Sequence, residues 1–223
     1  MNPEAKVPAI HEVATVPEVA TDPEVAAYPQ AAAVAESGPP HSVDRILAVA
    51  YDLFSTRGVR DVGVNELIER SGVAKATFYR HFPSKDSLVF AFLEQRDKQW
   101  TIDGILSEAR RRGSTPQEQL LAIFDVFGDW FRREDFEACS FVRVMLEMGP
   151  AHPLGRASID YLAKIRGHVQ ALAEEAGLQS PGDFARSWHI LMKGSIIQAV
   201  EGDALAAERA RQMAVWLIGH HTS

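Results

Sequence analysis

The chain has 223 residues, 46% apolar and 24% charged, the balance of a soluble globular protein of one or two domains. A single cysteine, Cys139, excludes an internal disulfide framework, no apolar run approaches the ~18 residues of a membrane span, and the amino terminus lacks the basic-then-apolar order of a secretory signal, so a reducing cytoplasm is the expected compartment. The net charge of −7 is uneven: residues 1–40 hold one cation and six carboxylates, a balance of −5, which leaves −2 for the rest and makes the acidity uninformative about what the folded part binds.

In chain order, residues 1–41 read as a disordered acidic arm rich in Pro and Ala, because small residues, Pro and Glu bury too little apolar surface to offset ordering entropy. Ser42 is a plausible N-cap for a first helix whose apolar face is Ile46, Leu47, Ala50, Leu53 and Phe54, ended by Arg57-Gly58. A second helix spans about 64–71, with Gly63 at its cap and Val64, Leu67 and Ile68 inward; Ser71-Gly72 turns the chain. A third, about 75–81, buries Phe78 and Phe82 and is stopped by Pro83. A long fourth helix is expected from Ser84 to about Arg111, and a fifth from Thr115-Pro116 with Glu118, a cap followed by proline at the first position. Helices near 140–148, 155–176, 181–200 and 203–219 complete the chain. No period-2 run argues for a sheet, so the expected fold is all-α with about nine helices.

The stretch Arg70–Lys85 stands apart from this acidic background. It holds four cations, Arg70, Lys75, Arg80 and Lys85, and no carboxylate. Two short helices joined by a glycine turn form a helix-turn-helix, whose second helix enters the DNA major groove. With Phe78 and Phe82 turned inward, Lys75, Ala76, Thr77, Tyr79, Arg80 and His81 are left for the outer surface and its margins. Lysine, arginine and threonine suit base edges; the Tyr79 hydroxyl suits phosphate, and Lys85 can meet the backbone beside helix amides. Gly63 and Asn65, at the start of the second helix, complete the candidate DNA-binding set.

Residues 46–88 also resemble the DNA-binding domain of the tetracycline-repressor (TetR) family. The resemblance rests on Ala50, Leu53-Phe54 and Gly58; on Leu67-Ile68 and Ser71-Gly72-Val73; on Thr77-Phe78-Tyr79-Arg80-His81-Phe82; and on Ser84-Lys85-Asp86. It departs from the family at Gly63 and Ala74, where Ser or Thr is usual. The resemblance implies a DNA-binding domain over 42–88 and an effector-binding and dimerisation domain over 89–223. It implies a homodimeric repressor, released from a palindromic operator by a small hydrophobic effector.

The middle helices are unusually aromatic. Trp100, Phe127, Trp130, Phe131, Phe141 and Met145 are candidates to line an effector pocket, with Cys139, His168, Trp188 and His189 as its polar or aromatic margin. On the last two helices, small and apolar residues recur at helical spacing and suggest an isologous four-helix interface. Its candidates are Phe184, Trp188, Leu191, Ser195, Ile196 and Ala199 on one helix, and Arg211, Ala214, Val215 and Ile218 on the other. No metal or cofactor is expected: the histidines lack ligand spacing, and no glycine-rich phosphate loop or hydrolase signature is present, so an enzyme is not expected. The rival reading is a helical adaptor that uses the same basic face for a protein partner, without DNA or effector.

Overall fold

The computed structural model describes residues 40–222, which are helical throughout with short connections and no strand among them. The arm expected over residues 1–41 lies, apart from the first turn of α1, outside the described residues.

Helix α1 (Pro40–Arg57) starts two residues before the expected Ser42 cap, since proline is tolerated in a first turn. Its apolar stripe of Ile46, Ala50, Leu53 and Phe54 is buried. Gly58, at φ 89°, ends it with the left-handed turn that glycine adopts freely. Helices α2 (Val64–Ser71) and α3 (Lys75–His81) follow with the expected bounds. They are separated by Gly72 at φ 61°, whose N–H donates to the Glu69 carbonyl.

Helix α4 (Lys85–Arg96) opens on a reciprocal cap between Ser84 and Ser87. Phe92 on α4 packs edge-on against Phe54 and Tyr51 of α1, ring centroids 5.6 and 5.9 Å apart, and ties α4 to the amino-terminal helices. The expected boundary at 88/89 falls inside α4, between two fully buried residues, Leu88 and Val89.

The fourth helix is not the uniform rod its periodicity suggests. From Asp97 to Leu106 the turns widen into a π-helix, and α-helical geometry resumes only in α5 (Ser107–Arg112). At the exit the Ser107 N–H reaches the Ile102 carbonyl, five residues back. π-Turns are rare inside α-helices and frequently lie at functional sites.

Thr115 and Glu118 cap α6 (Pro116–Phe131) reciprocally, with proline at the first position as expected. Then come α7 (Ser140–Met148), α8 (Pro153–Glu175), α9 (Pro181–Val200) and α10 (Ala206–His221). The last helix starts three residues late because the Asp203 carboxylate holds the preceding turn by accepting from the Leu205 N–H. Counting α4, the π-segment and α5 as one continuous helix, the described chain has nine. In the carboxy-terminal region α10 packs on α9 and α6, and α8 packs on α7 and α9. Trp188, wholly buried between Phe124 and Phe184 at 5.2 and 5.1 Å, anchors this core. No described helix is long and apolar enough to cross a membrane.

Candidate nucleic-acid interface and regulatory cavity

The outer face of α3 is set by what its inner face buries. Phe78 is fully buried against Phe82, centroids 6.2 Å apart, and such burial contributes about 1.5–3 kcal/mol. This fixes the rotation of the helix, so Lys75, Ala76 and Arg80 are exposed, Tyr79 is 41% exposed and Thr77 lies half-buried at the margin. Neither α2 nor α3 has a side-chain cap at Gly63 or Ala74, which leaves their first amides open. Gly63 and Asn65 are exposed.

The structure sorts the four cations of this stretch. Arg70 pairs with Asp52 of α1 at 2.8 Å, and the Lys85 ammonium donates to the Val62 carbonyl at 2.7 Å. Both brace the domain. Lys75 and Arg80 make no ion pair among the described residues and remain for a ligand. Lys85, expected at the DNA backbone, instead spends one of its three donors on the α1–α2 connection. His81 corrects the expected surface set more fully: it is only 2% exposed, with both ring nitrogens unpartnered. Burial, then the nearby Arg80 charge, lowers its pKa. At the last position of α3 its ring turns under the helix, away from the outer face.

The joint between this domain and the rest was not visible in the sequence. The Glu147 carboxylate, on the last turn of α7, accepts the N–H of Val59 at 2.9 Å and also that of Arg60. A Cβ at Gly58 would sit 3.0 Å from this carboxylate, so the glycine serves both the turn and the close approach. At the other joint, buried Arg96 of α4 donates to the Tyr51 oxygen of α1, lies over the Trp100 ring at 5.0 Å and has Glu137 at 3.6 Å. Burial and a hydrogen bond with Glu137 push the Tyr51 pKa up to about 12.

A small, mostly apolar cavity of about 30 Å³ lies beside this joint, part of it open to solvent. Of the expected pocket residues, Trp100, Phe127, Trp130, Cys139 and Phe141 line it. Phe131, Met145, His168, Trp188 and His189 do not: Trp188 belongs to the α6–α9 core, and Phe131 stacks with Phe127, Trp130 and Phe136 beside the cavity. The wall is completed by residues not foreseen, including Arg96, Thr101, Ile105, Ser140, Lys193 and Ile196. Thr101 and Ile105 reach it because the widened π-turns alter the helical phase.

The expected interface residues also need correction. Phe184, Trp188, Ser195, Ile196, Ala214 and Ile218 are buried within the chain itself, and Leu191, Ala199 and Arg211 are partly covered. Of that set only Val215 is exposed. The apolar surface lies elsewhere on the same helices: Ile190 (71% exposed), Ile197 and Val200 on α9, Met213 and Trp216 (78% exposed) on α10. Both helices are apolar on two sides, and the spacing picked out the inner stripe.

A helix-turn-helix with an exposed basic second helix, carried on a larger helical domain with its own cavity, defines a DNA-binding regulator. Residues 46–92 match the model of bacterial regulatory proteins of the tetR family. The chain is 25% identical to a TetR-family transcriptional regulator from Streptomyces coelicolor whose crystal structure covers 82% of this chain and 97% of that one, with a TM-score of 0.75. It is 29% identical over 93 residues to the HTH-type transcriptional activator FasR of Mycolicibacterium smegmatis, 40% of each chain. It is 36% identical over 50 residues to the HTH-type transcriptional regulator EthR of Mycobacterium tuberculosis, 22% of this chain and 23% of that one. The matched stretches thus span less than half of these two curated relatives. Residues 46–92 thus carry the DNA-binding domain of the tetR family, and the chain shares its overall fold with a TetR-family transcriptional regulator.

Proposed function

We propose that the protein is a homodimeric repressor that binds a palindromic operator through α3 and is released when an apolar effector enters the cavity. The observation that carries the DNA reading is the pairing pattern on α3: Lys75 and Arg80 are exposed and unpaired among the described residues, on a helix locked in rotation by Phe78. Lys75, Thr77 and Arg80 face the bases, and Tyr79 positions the helix on phosphate. The exposed stripe of Ile190, Ile197, Val200, Met213 and Trp216 suits a second copy of the chain, which a two-half-site operator requires.

Release works by a shift between two states, the effector favouring the one in which the α3 helices of the dimer are wrongly spaced. Two elements support a coupling route from cavity to DNA domain. The α4–π–α5 helix carries Trp100 at the cavity and Arg96 against Tyr51. Helix α7 carries Ser140 and Phe141 at the cavity and Glu147 on the α1–α2 loop.

The test selects bound fragments from the organism's own DNA with the full chain, then measures salt dependence. Operator affinity is expected to fall steeply with salt on a log–log plot. Arg80→Ala should cost about 1–3 kcal/mol and relax one operator position, with Arg70→Ala as the control for a cation already paired within the protein. An affinity that is flat with salt and indifferent to Arg80→Ala supports the adaptor reading instead.

A further inference from the structure

The chemistry of the cavity wall narrows the effector class, an inference that rests on the cavity being the effector site. The lining is apolar and aromatic over most of its surface, but its two charged residues, Arg96 and Lys193, are both cations, and no carboxylate lines it. Arg96 is engaged by Tyr51, Trp100 and Glu137. Lys193 is not comparably engaged. Among the described residues its ammonium makes no ion pair and donates to the Cys139 sulfur at 3.3 Å. Sulfur is a weak acceptor, which an ammonium with three donors exchanges readily for oxygen.

A second observation lies on the same wall. Ser140 is only 3% exposed, lines the cavity, and its hydroxyl has no hydrogen-bond partner. It is the first residue of α7, and the Cys139 side chain before it caps none of the opening amides. The ammonium without a counter-charge thus touches the residue that precedes α7, and the uncapped start of that helix, with its buried and unpartnered Ser140 hydroxyl, belongs to the same stretch of the wall.

We propose that this cavity widens on binding to take an apolar carboxylic acid, its carboxylate seated between the Lys193 ammonium, the Ser140 hydroxyl and the amides opening α7, and its apolar body along Trp100, Phe127 and Trp130. The neighbouring titratable group on α9 brings Lys193 no opposing charge either. One turn earlier on α9, His189 is held neutral by burial and by the charges of Lys193 and Arg166, its pKa pushed down to about 3. An anion at this seat meets no opposing carboxylate on the wall, whereas an uncharged ligand leaves the ammonium desolvated without a partner.

The test uses paired probes on the full chain at pH 7.5: decanoate against 1-decanol, and 1-naphthoate against naphthalene-1-methanol, by isothermal titration. At least one acid is expected to bind more than about tenfold tighter than its alcohol, the scale of one charge-assisted hydrogen bond. Lys193→Met should bring that ratio to about one while leaving the alcohol within about twofold. Lys193→Arg should keep the preference, and Ser140→Ala should reduce it. Thermal melting checks that each variant is folded, and the arginine and alanine variants carry the test if the methionine variant is not. Equal binding of acid and alcohol by the parent, or a preference that survives Lys193→Met, overturns the carboxylate seat and leaves the cavity as effector site. If none of the four probes binds, both readings fall.

Discussion

Replacing Glu147 by glutamine probes the joint between the DNA-binding helices and the rest of the chain. The two carboxylate oxygens each accept one backbone N–H, from Val59 at 2.9 Å and from Arg60. Glutamine keeps the size of the side chain and one acceptor, but sets an NH₂ donor against the second N–H. One charge-assisted hydrogen bond is lost and one backbone donor is left facing another donor. A hydrogen bond to a charged group contributes about 1.5–3 kcal/mol. The site is half-open to solvent, so the lower part of that range applies, about 1.5–2 kcal/mol. For a folded unit of this size each kcal/mol moves the melting temperature by about 2–4 °C, which gives a drop of roughly 3–8 °C. Thermal and urea denaturation followed by circular dichroism, at one fixed protein concentration, measures it. Arg133→Ala is the control: its partner Asp135 is exposed, and the loss should stay within about 0.5 kcal/mol. If α7 transmits the effector signal, Glu147→Gln should also weaken the effect of effector on DNA binding more than it weakens DNA binding itself. A glutamine variant that melts with the parent and responds normally to effector would refute the reasoning.

The remaining expectations concern acid stability and assembly. His189 has its folded pKa pushed down to about 3, by burial first and then by Lys193 and Arg166, against 6.5 unperturbed. Above 6.5 the ring is neutral folded and unfolded alike; as pH falls from there towards 3, the unfolded chain takes up the proton and the folded one does not, so stability declines through that window. His189→Gln should flatten this part of the stability profile measured by urea titration at a series of pH values, and an unchanged slope would remove the histidine as a cause. If the exposed stripe of α9 and α10 is a dimer interface, Trp216→Glu on α10 should leave the helical circular dichroism intact, give a monomer in sedimentation where the parent gives a dimer, and abolish tight operator binding; a dimer that survives it places the interface elsewhere.

The readings that held were local. Gly72 and Pro83 bound α2 and α3, and Thr115, Pro116 and Glu118 start α6, because turns and caps depend on the backbone preferences of a few adjacent residues. The burial of Phe78 and Phe82 follows from their spacing, and with it the outward placement of Lys75 and Arg80. What the residues alone left open were matters of partnership. Glu147 lies 88 residues from Val59, and nothing near either residue encodes their meeting. Lys85 and His81 look like surface groups until Val62 and the packing beneath α3 claim them. Helical spacing identified the apolar residues of α9 and α10 but not which of two apolar stripes turns inward, since that depends on where α6 and α8 dock. The same holds for the cavity: its aromatic residues were legible, while Lys193, Ser140 and the π-turns that carry Thr101 and Ile105 to the wall emerge only from the packed helices. Periodicity and capping act over one or two turns and determine the elements; which faces meet is decided by the packing of the whole core, and with it the chemistry of the cavity.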